Sequence, residues 1–119
     1  MATAEWQQTE SDGTPMPMHV STPDGGAVFP AVVVIQHQSG VDQFIQTTTR
    51  RLADAGFVAA APDLYHRDGP NCPDDMRTRS SRLSDRRVIA DVGATVDFLK
   101  RHRAVDAKRI GIIGFCMGG

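Results

Sequence analysis

The chain has 119 residues, which is enough for one domain with a modest core. Its hydrophobic share of 40% and charged share of 23% are ordinary for a globular protein, and a formal net charge of −1 gives no reason to expect nucleic acid or a membrane as partner. No uninterrupted apolar run is longer than Ala31–Ile35, which is too short to span a bilayer. The first residues lack the basic start and apolar core of a signal peptide, so we expect a cytoplasmic location.

The cysteines and histidines predict neither a disulfide framework nor a metal site. Cys72 and Cys116 are far apart in the chain and form no Cys-x-x-Cys pair. Cys72 lies in a polar loop, as an incidental surface thiol would. The histidines show no ligand spacing such as His-x-x-x-His. We therefore expect no metal and no cofactor.

The N-terminal segment, about residues 4–29, predicts a β-hairpin. Ala4–Thr9 and Met16–Ser21 have strand character and flank the turn signal Ser11-Asp-Gly13. Two prolines at the start of the second strand limit it to an edge position in a sheet.

The remaining residues, about 30–119, predict a β-α-β-α-β core. Pro30–Ile35 and Phe57–Ala61 are short, continuous apolar runs, typical of parallel strands buried on both faces. Between them, Asp42 is a good N-cap for a helix that runs to about Ala55. The predicted buried face of this helix carries Phe44, Ile45, Leu52 and Ala55, which share it with Thr48 at helical spacing. Gly56 then fits the end of the helix.

A long polar loop, Asp63–Ser84, precedes a second helix. Loops of this length in compact domains are usually functional or partly ordered as short helices. Ser84 or Asp85 can cap the second helix, which extends to about Arg101. Its core face is predicted to carry Val88, Val92, Val96 and Leu99. Alternating strands and helices of this kind predict a doubly wound α/β sheet.

The most specific signal is at the end of the chain. Val105–Lys108 is predicted as a turn and Arg109–Phe115 as a third buried strand, which leads directly into Gly114-Phe-Cys-Met-Gly-Gly119. This is the G-x-nucleophile-x-G pattern of a nucleophile elbow, with Cys116 as the nucleophile. Free N–H groups at such a strand-to-helix turn favour a thiolate and a developing oxyanion. The alternative is a tight turn that holds a buried, unreactive cysteine.

Three motifs resemble, in their order and spacing, the dienelactone hydrolase family of α/β-hydrolases over roughly residues 15–119. They are the Val-Val-Val-Ile-Gln-x-x-x-Gly-Val run of Val32–Val41, then Pro62-Asp-Leu-Tyr65, then the elbow. The resemblance implies an α/β-hydrolase-like, mostly parallel sheet with flanking helices, of which the chain is an incomplete N-terminal half. It also implies hydrolysis of carboxylic ester or lactone bonds, like a carboxymethylenebutenolidase, through a cysteine acyl-enzyme and a Cys-His-Asp triad.

The same resemblance implies an oxyanion hole built from the backbone N–H groups of Met117 and Gln38. At His37 the sequence departs from the glutamate of the family's best-known members. His37 could act as a base, could position the loop, or could be a partly exposed histidine without a proton-transfer role. The departure argues against dienelactone itself as the substrate.

Further candidates for substrate binding lie after the second buried strand. Arg77, Arg79 and Arg82 could grip a substrate carboxylate, or could form a solvated basic loop. Tyr65 follows the carboxyl end of a strand, where open α/β sheets bind ligands, but packing explains it equally well. We expect a small-molecule ester or lactone as the substrate.

The triad order of this fold is nucleophile, acid, histidine, so the other two members are expected after residue 119. His102 precedes the nucleophile and cannot take the family role. We therefore expect little or no turnover from these residues alone. The alternative is a non-catalytic fragment, or a half-domain that needs a partner chain or self-associates through the exposed edge of its last strand.

Overall fold

The computed structural model describes residues 3–36, 38–69 and 72–114, and it shows a five-stranded sheet with helices on both faces. The strands are β1 (Thr3–Ser11), β2 (Thr14–Thr22), β3 (Phe29–Ile35), β4 (Val58–Pro62) and β5 (Val105–Gly114). Their order in the sheet is β1-β2-β4-β3-β5. β2 pairs antiparallel with β1 and β4, whereas β3 runs parallel to β4 and β5. This confirms the predicted mostly parallel α/β architecture of the core.

The helices are α1 (Gln43–Asp54), α2 (Met76–Ser81) and α3 (Asp85–Lys100), with a 3₁₀ turn at His66–Asp68. α1 and α3 cover opposite faces of the sheet, and each helix packs on its own hydrophobic core cluster. Alternate residues of β3 contribute to the two clusters. Ala31, Val33 and Ile35 join the cluster under α3, and Val34 joins the one under α1. Within the described residues, no helix has both the length and the apolar character needed to cross a membrane.

The N-terminal hairpin is confirmed, but the prediction that its second strand lies at an edge is wrong. Asp12 and Gly13 have φ of 52° and 74°, the left-handed values that a two-residue hairpin turn requires. β2 lies inside the sheet because its prolines, Pro15 and Pro17, precede the stretch Met18–Ser21 that pairs with β4. The missing proline N–H groups therefore do not interrupt that ladder.

α1 begins as predicted, with the Asp42 carboxylate accepting a hydrogen bond from the backbone N–H of Ile45 at 3.2 Å. Its buried face was predicted correctly at Ile45, and Leu52 packs against the core, but Phe44 is 54% exposed and Ala55 is exposed. The buried residues are Ile45, Thr49 and Ala53. Apolar periodicity missed Thr49 because its hydroxyl is satisfied inside the protein, which allows a polar residue on the core face.

α3 confirms its prediction. Ser84 is the N-cap, Leu99 is buried, and Val88, Val92 and Val96 pack against the core. The long loop before it contains the 3₁₀ turn and α2, in line with the expected short helices.

β5 differs from its prediction in two respects. It begins at Val105, so the predicted turn over 105–108 is wrong, and the pairing with β3 is irregular between Phe29 and Ala31. Ile112 and Ile113 are 60% and 39% exposed rather than buried. The physical reason is the strand's position: β5 pairs with β3 on one side, and no strand in the described part of the chain lies on the other.

Candidate functional site

The three parallel strands end at one edge of the sheet. Ile35, the last residue of β3, pairs with Gly114, the last residue of β5, and β4 ends at Pro62. The loops that begin at Gln36 and Asp63 therefore emerge beside the point where the elbow sequence leaves the sheet. Open α/β sheets bind ligands outside the carboxyl ends of their strands, so this edge is the candidate active site.

Three predicted site residues, His37, Cys116 and Met117, lie outside the described residues. Their roles as base or loop-positioning residue, nucleophile and oxyanion donor stay predictions. The described neighbours at this edge are the loop residues 36 and 38–41, the loop 63–69 and the helix α2.

Gln38 is held at its backbone and at its side chain. Its carbonyl accepts a hydrogen bond from the Tyr65 hydroxyl at 2.7 Å, and its Nε2 donates to Ser80 Oγ at 3.2 Å. The neighbouring Gln36 is fully buried, and its Oε1 accepts from the backbone N–H of Leu64 at 2.9 Å. The predicted oxyanion loop is thus bound directly to the loop after β4 and to α2.

Tyr65 is only 3% exposed. Its backbone N–H donates to the Asp63 carboxylate at 2.9 Å, and the Arg79 guanidinium lies over its ring at 4.7 Å from the centroid. Burial is the main cause that raises the pKa of the Tyr65 hydroxyl. Its hydroxyl is engaged by the Gln38 carbonyl, so Tyr65 joins the loop after β4 to the predicted oxyanion loop.

The three predicted arginines differ in their surroundings. Arg79 Nε pairs with Asp68 at 3.1 Å, and Arg82 pairs with both Asp68, at 3.2 Å, and Asp74. The hydrogen bond from Arg82 is the main cause that lowers the pKa of the Asp74 carboxyl. Arg77 is exposed, and no ion pair forms at its side chain within the described residues. The charge of Arg77 is therefore the least compensated of the three.

A cavity of about 410 Å³ lies at the carboxyl end of β3. Its walls are mainly apolar, with polar groups from the end of α2, the start of α3 and the turn between them. The lining residues are Ile35, Leu64, Ser80, Leu83, Ser84, Asp85, Val88 and Ile89. Cavities of this size and composition accommodate small organic molecules.

Sequence reasoning missed Gln36, Ser80 and Asp68 as part of this site. Gln36 carried a usable signal, since a polar residue directly after a buried parallel strand stands at the ligand-binding edge. Ser80 and Asp68 gave no such signal. Nothing in the sequence of the long loop shows that Ser80 contacts Gln38 or that Asp68 pairs with Arg79.

Residues 16–119 match the model of the dienelactone hydrolase family. The chain belongs to this family. A Yersinia pestis relative with the provisional name carboxymethylenebutenolidase is 36% identical over 115 residues, covering 92% of this chain and 43% of the relative. A Bradyrhizobium relative, provisionally named 2-oxo-3-(5-oxofuran-2-ylidene)propanoate lactonase, is 33% identical over 121 residues, covering 97% of this chain and 48% of its own length.

Solved structures of dienelactone hydrolases and related proteins are also similar to this chain. A provisionally assigned dienelactone hydrolase from Klebsiella pneumoniae is 35% identical and superposes with a TM-score of 0.88, over 99% of this chain and 51% of its own. A dienelactone hydrolase-like promiscuous phosphotriesterase from metagenomic libraries is 26% identical, with a TM-score of 0.82, over 98% of this chain and 50% of its own. The chain thus spans about half the length of these relatives, and its fold is that of the corresponding part of a dienelactone hydrolase.

Proposed function

We propose that this chain is the nucleophile-bearing part of a hydrolase of carboxylic esters or lactones, with Cys116 as the nucleophile. One observation carries the proposal. The elbow sequence Gly114-x-Cys116-x-Gly118 follows β5 directly, and Gly114 pairs with Ile35 at the edge where the predicted oxyanion loop begins. The names of the family's relatives support the same reaction class.

In the proposed reaction the Cys116 thiolate attacks the carbonyl carbon of the substrate. The carbonyl π electrons move to oxygen, and the backbone N–H groups of Met117 and Gln38 stabilise this oxyanion. The oxyanion collapses, the carbon–oxygen bond to the alkoxide breaks, and the alkoxide takes up the proton that the Cys116 thiol lost, leaving a thioester on Cys116. Water then hydrolyses the thioester and returns the thiol together with a carboxylic acid. His37 is proposed as a base for the thiol or as a residue that positions the loop.

We propose a small ester or lactone as substrate, with contacts from Tyr65, Arg77, Arg79 and Arg82. Arg79 and Arg82 are already paired with aspartates, whereas Arg77 is exposed. A substrate carboxylate is therefore expected to bind more strongly to Arg77 than to the other two arginines. Binding of a neutral lactone and of a carboxylate-bearing lactone can be compared to test the role of Arg77. Arg77→Ala is expected to weaken binding of the carboxylate-bearing lactone and to leave binding of the neutral lactone unchanged.

The nucleophile is tested by trapping the acyl-enzyme. We expect p-nitrophenyl acetate to leave one acetyl group on the peptide that contains Cys116, detected by mass spectrometry after acid quench. Cys72→Ser should retain this adduct and Cys116→Ser should lose it. Cys72 is the matched control, because it is the chain's other cysteine and is partly exposed. Equal acetylation of both cysteines, or none on Cys116, would contradict the proposal.

We further propose that these 119 residues alone turn over esters slowly or not at all, because the acid and histidine of the triad follow the nucleophile in this fold. Sustained hydrolysis through Cys116 by the 119-residue chain would contradict this. The second candidate is a non-catalytic half-domain that associates with another chain, and the exposed isoleucines of β5 favour it.

A further inference from the structure

Two hydrogen bonds join the loop after β3 to the loop after β4. The backbone N–H of Leu64 donates to Gln36 Oε1 at 2.9 Å, and the Tyr65 hydroxyl donates to the Gln38 carbonyl at 2.7 Å. The acceptors are the side chain of Gln36 and the main chain of Gln38, the described residues that flank position 37, so the two bonds tie the loop that carries the proposed oxyanion donor to the loop after β4. The donors are consecutive residues, which makes Leu64-Tyr65 a single anchoring unit for this segment.

The Tyr65 ring is itself held in place. The Arg79 guanidinium lies over it, and Asp68 holds Arg79 through its Nε at 3.1 Å. At Gly40, which has φ of +85°, an added Cβ would lie 3.8 Å from the ring, so the backbone there is in close reach of the aromatic edge. The backbone N–H of Tyr65 is bound by Asp63. A ring restrained from several directions can impose its geometry on the group that its hydroxyl contacts.

We infer that Tyr65 is a positioning residue that orients the backbone of Gln38 for oxyanion stabilisation, an inference that rests on the proposed function. Oxyanion stabilisation depends on donors already aimed at the developing charge, since a loop that must reorganise during the reaction loses much of the benefit. Ser80 holds the Gln38 side chain at 3.2 Å, so α2 supports the same residue from a second direction.

The hydroxyl of Tyr65 is suited to this task rather than to acid–base chemistry. It has one proton, and that proton is used on the Gln38 carbonyl. Burial raises the pKa of the group, so it stays protonated and keeps donating near neutral pH. Replacing tyrosine with phenylalanine would leave the ring and its contacts with Arg79 and remove only the donor.

Tyr65→Phe tests the inference in the 119-residue chain with two reagents at Cys116. Acetylation by p-nitrophenyl acetate passes through an oxyanion, whereas alkylation by iodoacetamide does not. We expect the acetylation rate constant to fall about tenfold or more and the alkylation rate constant to stay within about twofold of the parent chain. Ser81→Ala is the matched control, because it removes a hydroxyl that donates to the Thr78 carbonyl within α2, away from Gln38. It should change neither rate.

Hydrogen exchange tests the positioning independently of the chemistry. In Tyr65→Phe the backbone amides of Gln38 and Ser39 should exchange about fivefold faster or more, with protection in β3 and β4 unchanged. Unchanged exchange at these amides, unchanged acetylation, or an equal fall in acetylation and alkylation would overturn the inference. Absence of Cys116 acetylation in the parent chain would refute the proposed function instead, and exchange alone would then decide whether Tyr65 holds Gln38.

Discussion

At the scale of single residues, the tautomer of neutral His19 follows from the hydrogen bonds around it. Thr49 donates its only hydroxyl proton to the Gln46 carbonyl at 2.7 Å, so its oxygen must accept from His19 Nδ1 and Ser21 Oγ, both at 2.9 Å. Neutral His19 therefore carries its proton on Nδ1. Burial, with a smaller effect of Arg50, lowers the pKa of His19 below its ordinary value of 6.5.

This lowered pKa predicts a pH dependence of stability. The unfolded chain takes up the proton at higher pH than the folded chain, so the contribution of His19 is complete above 6.5 and is lost as pH falls through 6.5 towards the folded pKa. His19→Asn retains a donor in place of Nδ1 and does not titrate. We expect a shallower fall in the free energy of unfolding between about pH 7.5 and pH 5.5, measured by urea denaturation.

Asp106→Asn is the control for this pH series. Hydrogen bonds from the Lys108 backbone and from Arg109 lower the pKa of Asp106 below 3.8, so the group does not titrate in the same range. Its profile should match that of the parent chain. A His19→Asn profile as steep as that of the parent chain would show that His19 does not contribute to the pH dependence.

At the scale of elements, one buried carboxylate joins three parts of the fold. Asp91 of α3 is fully buried and accepts hydrogen bonds from Ser11 in β1 at 2.6 Å and from His66 in the 3₁₀ turn at 3.0 Å. Arg67 donates to both of its oxygens at 3.0 Å and also contacts Asp12 in the hairpin turn at 2.7 Å. The loop that carries Tyr65 is thereby fastened to α3 and to the hairpin.

Asp91→Asn is expected to destabilise the fold by about 3 kcal/mol, because it leaves the largely buried Arg67 without its main partner. Urea denaturation followed by circular dichroism measures the change. Asp106→Asn breaks an exposed ion pair with Arg109 and should cause no measurable loss. If Asp91→Asn does not fold, Ser11→Ala tests the same cluster with an expected loss of about 1 kcal/mol. Equal stability of the Asp91 and Asp106 variants would contradict this role.

The pattern of apolar residues correctly predicted the strands and helices whose apolar residues face the core. It failed where polar residues are buried or apolar residues are exposed. β3, β4 and α3 were predicted because their apolar residues face the core. Thr49 and Asp91 are polar yet fully buried, since hydrogen bonds from distant elements satisfy them. The pattern of apolar and polar residues along the chain does not show which distant residues form these hydrogen bonds.

The same limit applies to the candidate site. Short motifs located the loops after β3 and β4, because parallel strands place their carboxyl ends together. They did not predict the hydrogen bond between Tyr65 and Gln38, which requires the adjacency of β3 and β4 and the fold of the intervening chain. The motifs predicted which loops lie close together. They did not predict which atoms of those loops form hydrogen bonds.

At the scale of the whole molecule, the second half of β5 carries exposed apolar side chains at the edge of the sheet. Ile112 and Ile113 are exposed, and Ile89 of α3 is 71% exposed. The first half of β5 contains Asp106, Lys108 and Arg109, whereas 110–114 contains no charge. Charged residues discourage edge-to-edge pairing, so the second half of the strand is the less protected.

We propose that a second copy of the chain covers this surface when the 119 residues are isolated, and we expect an apparent mass that rises with concentration in size-exclusion chromatography with light scattering. Ile112→Lys should shift the population to monomer, because burying its ammonium group between two chains is costly. Phe44→Lys is the matched control, since Phe44 is similarly exposed, at 54%, but belongs to α1. A parent chain that is monomeric at every concentration, or an equal effect of both lysines, would contradict association through β5.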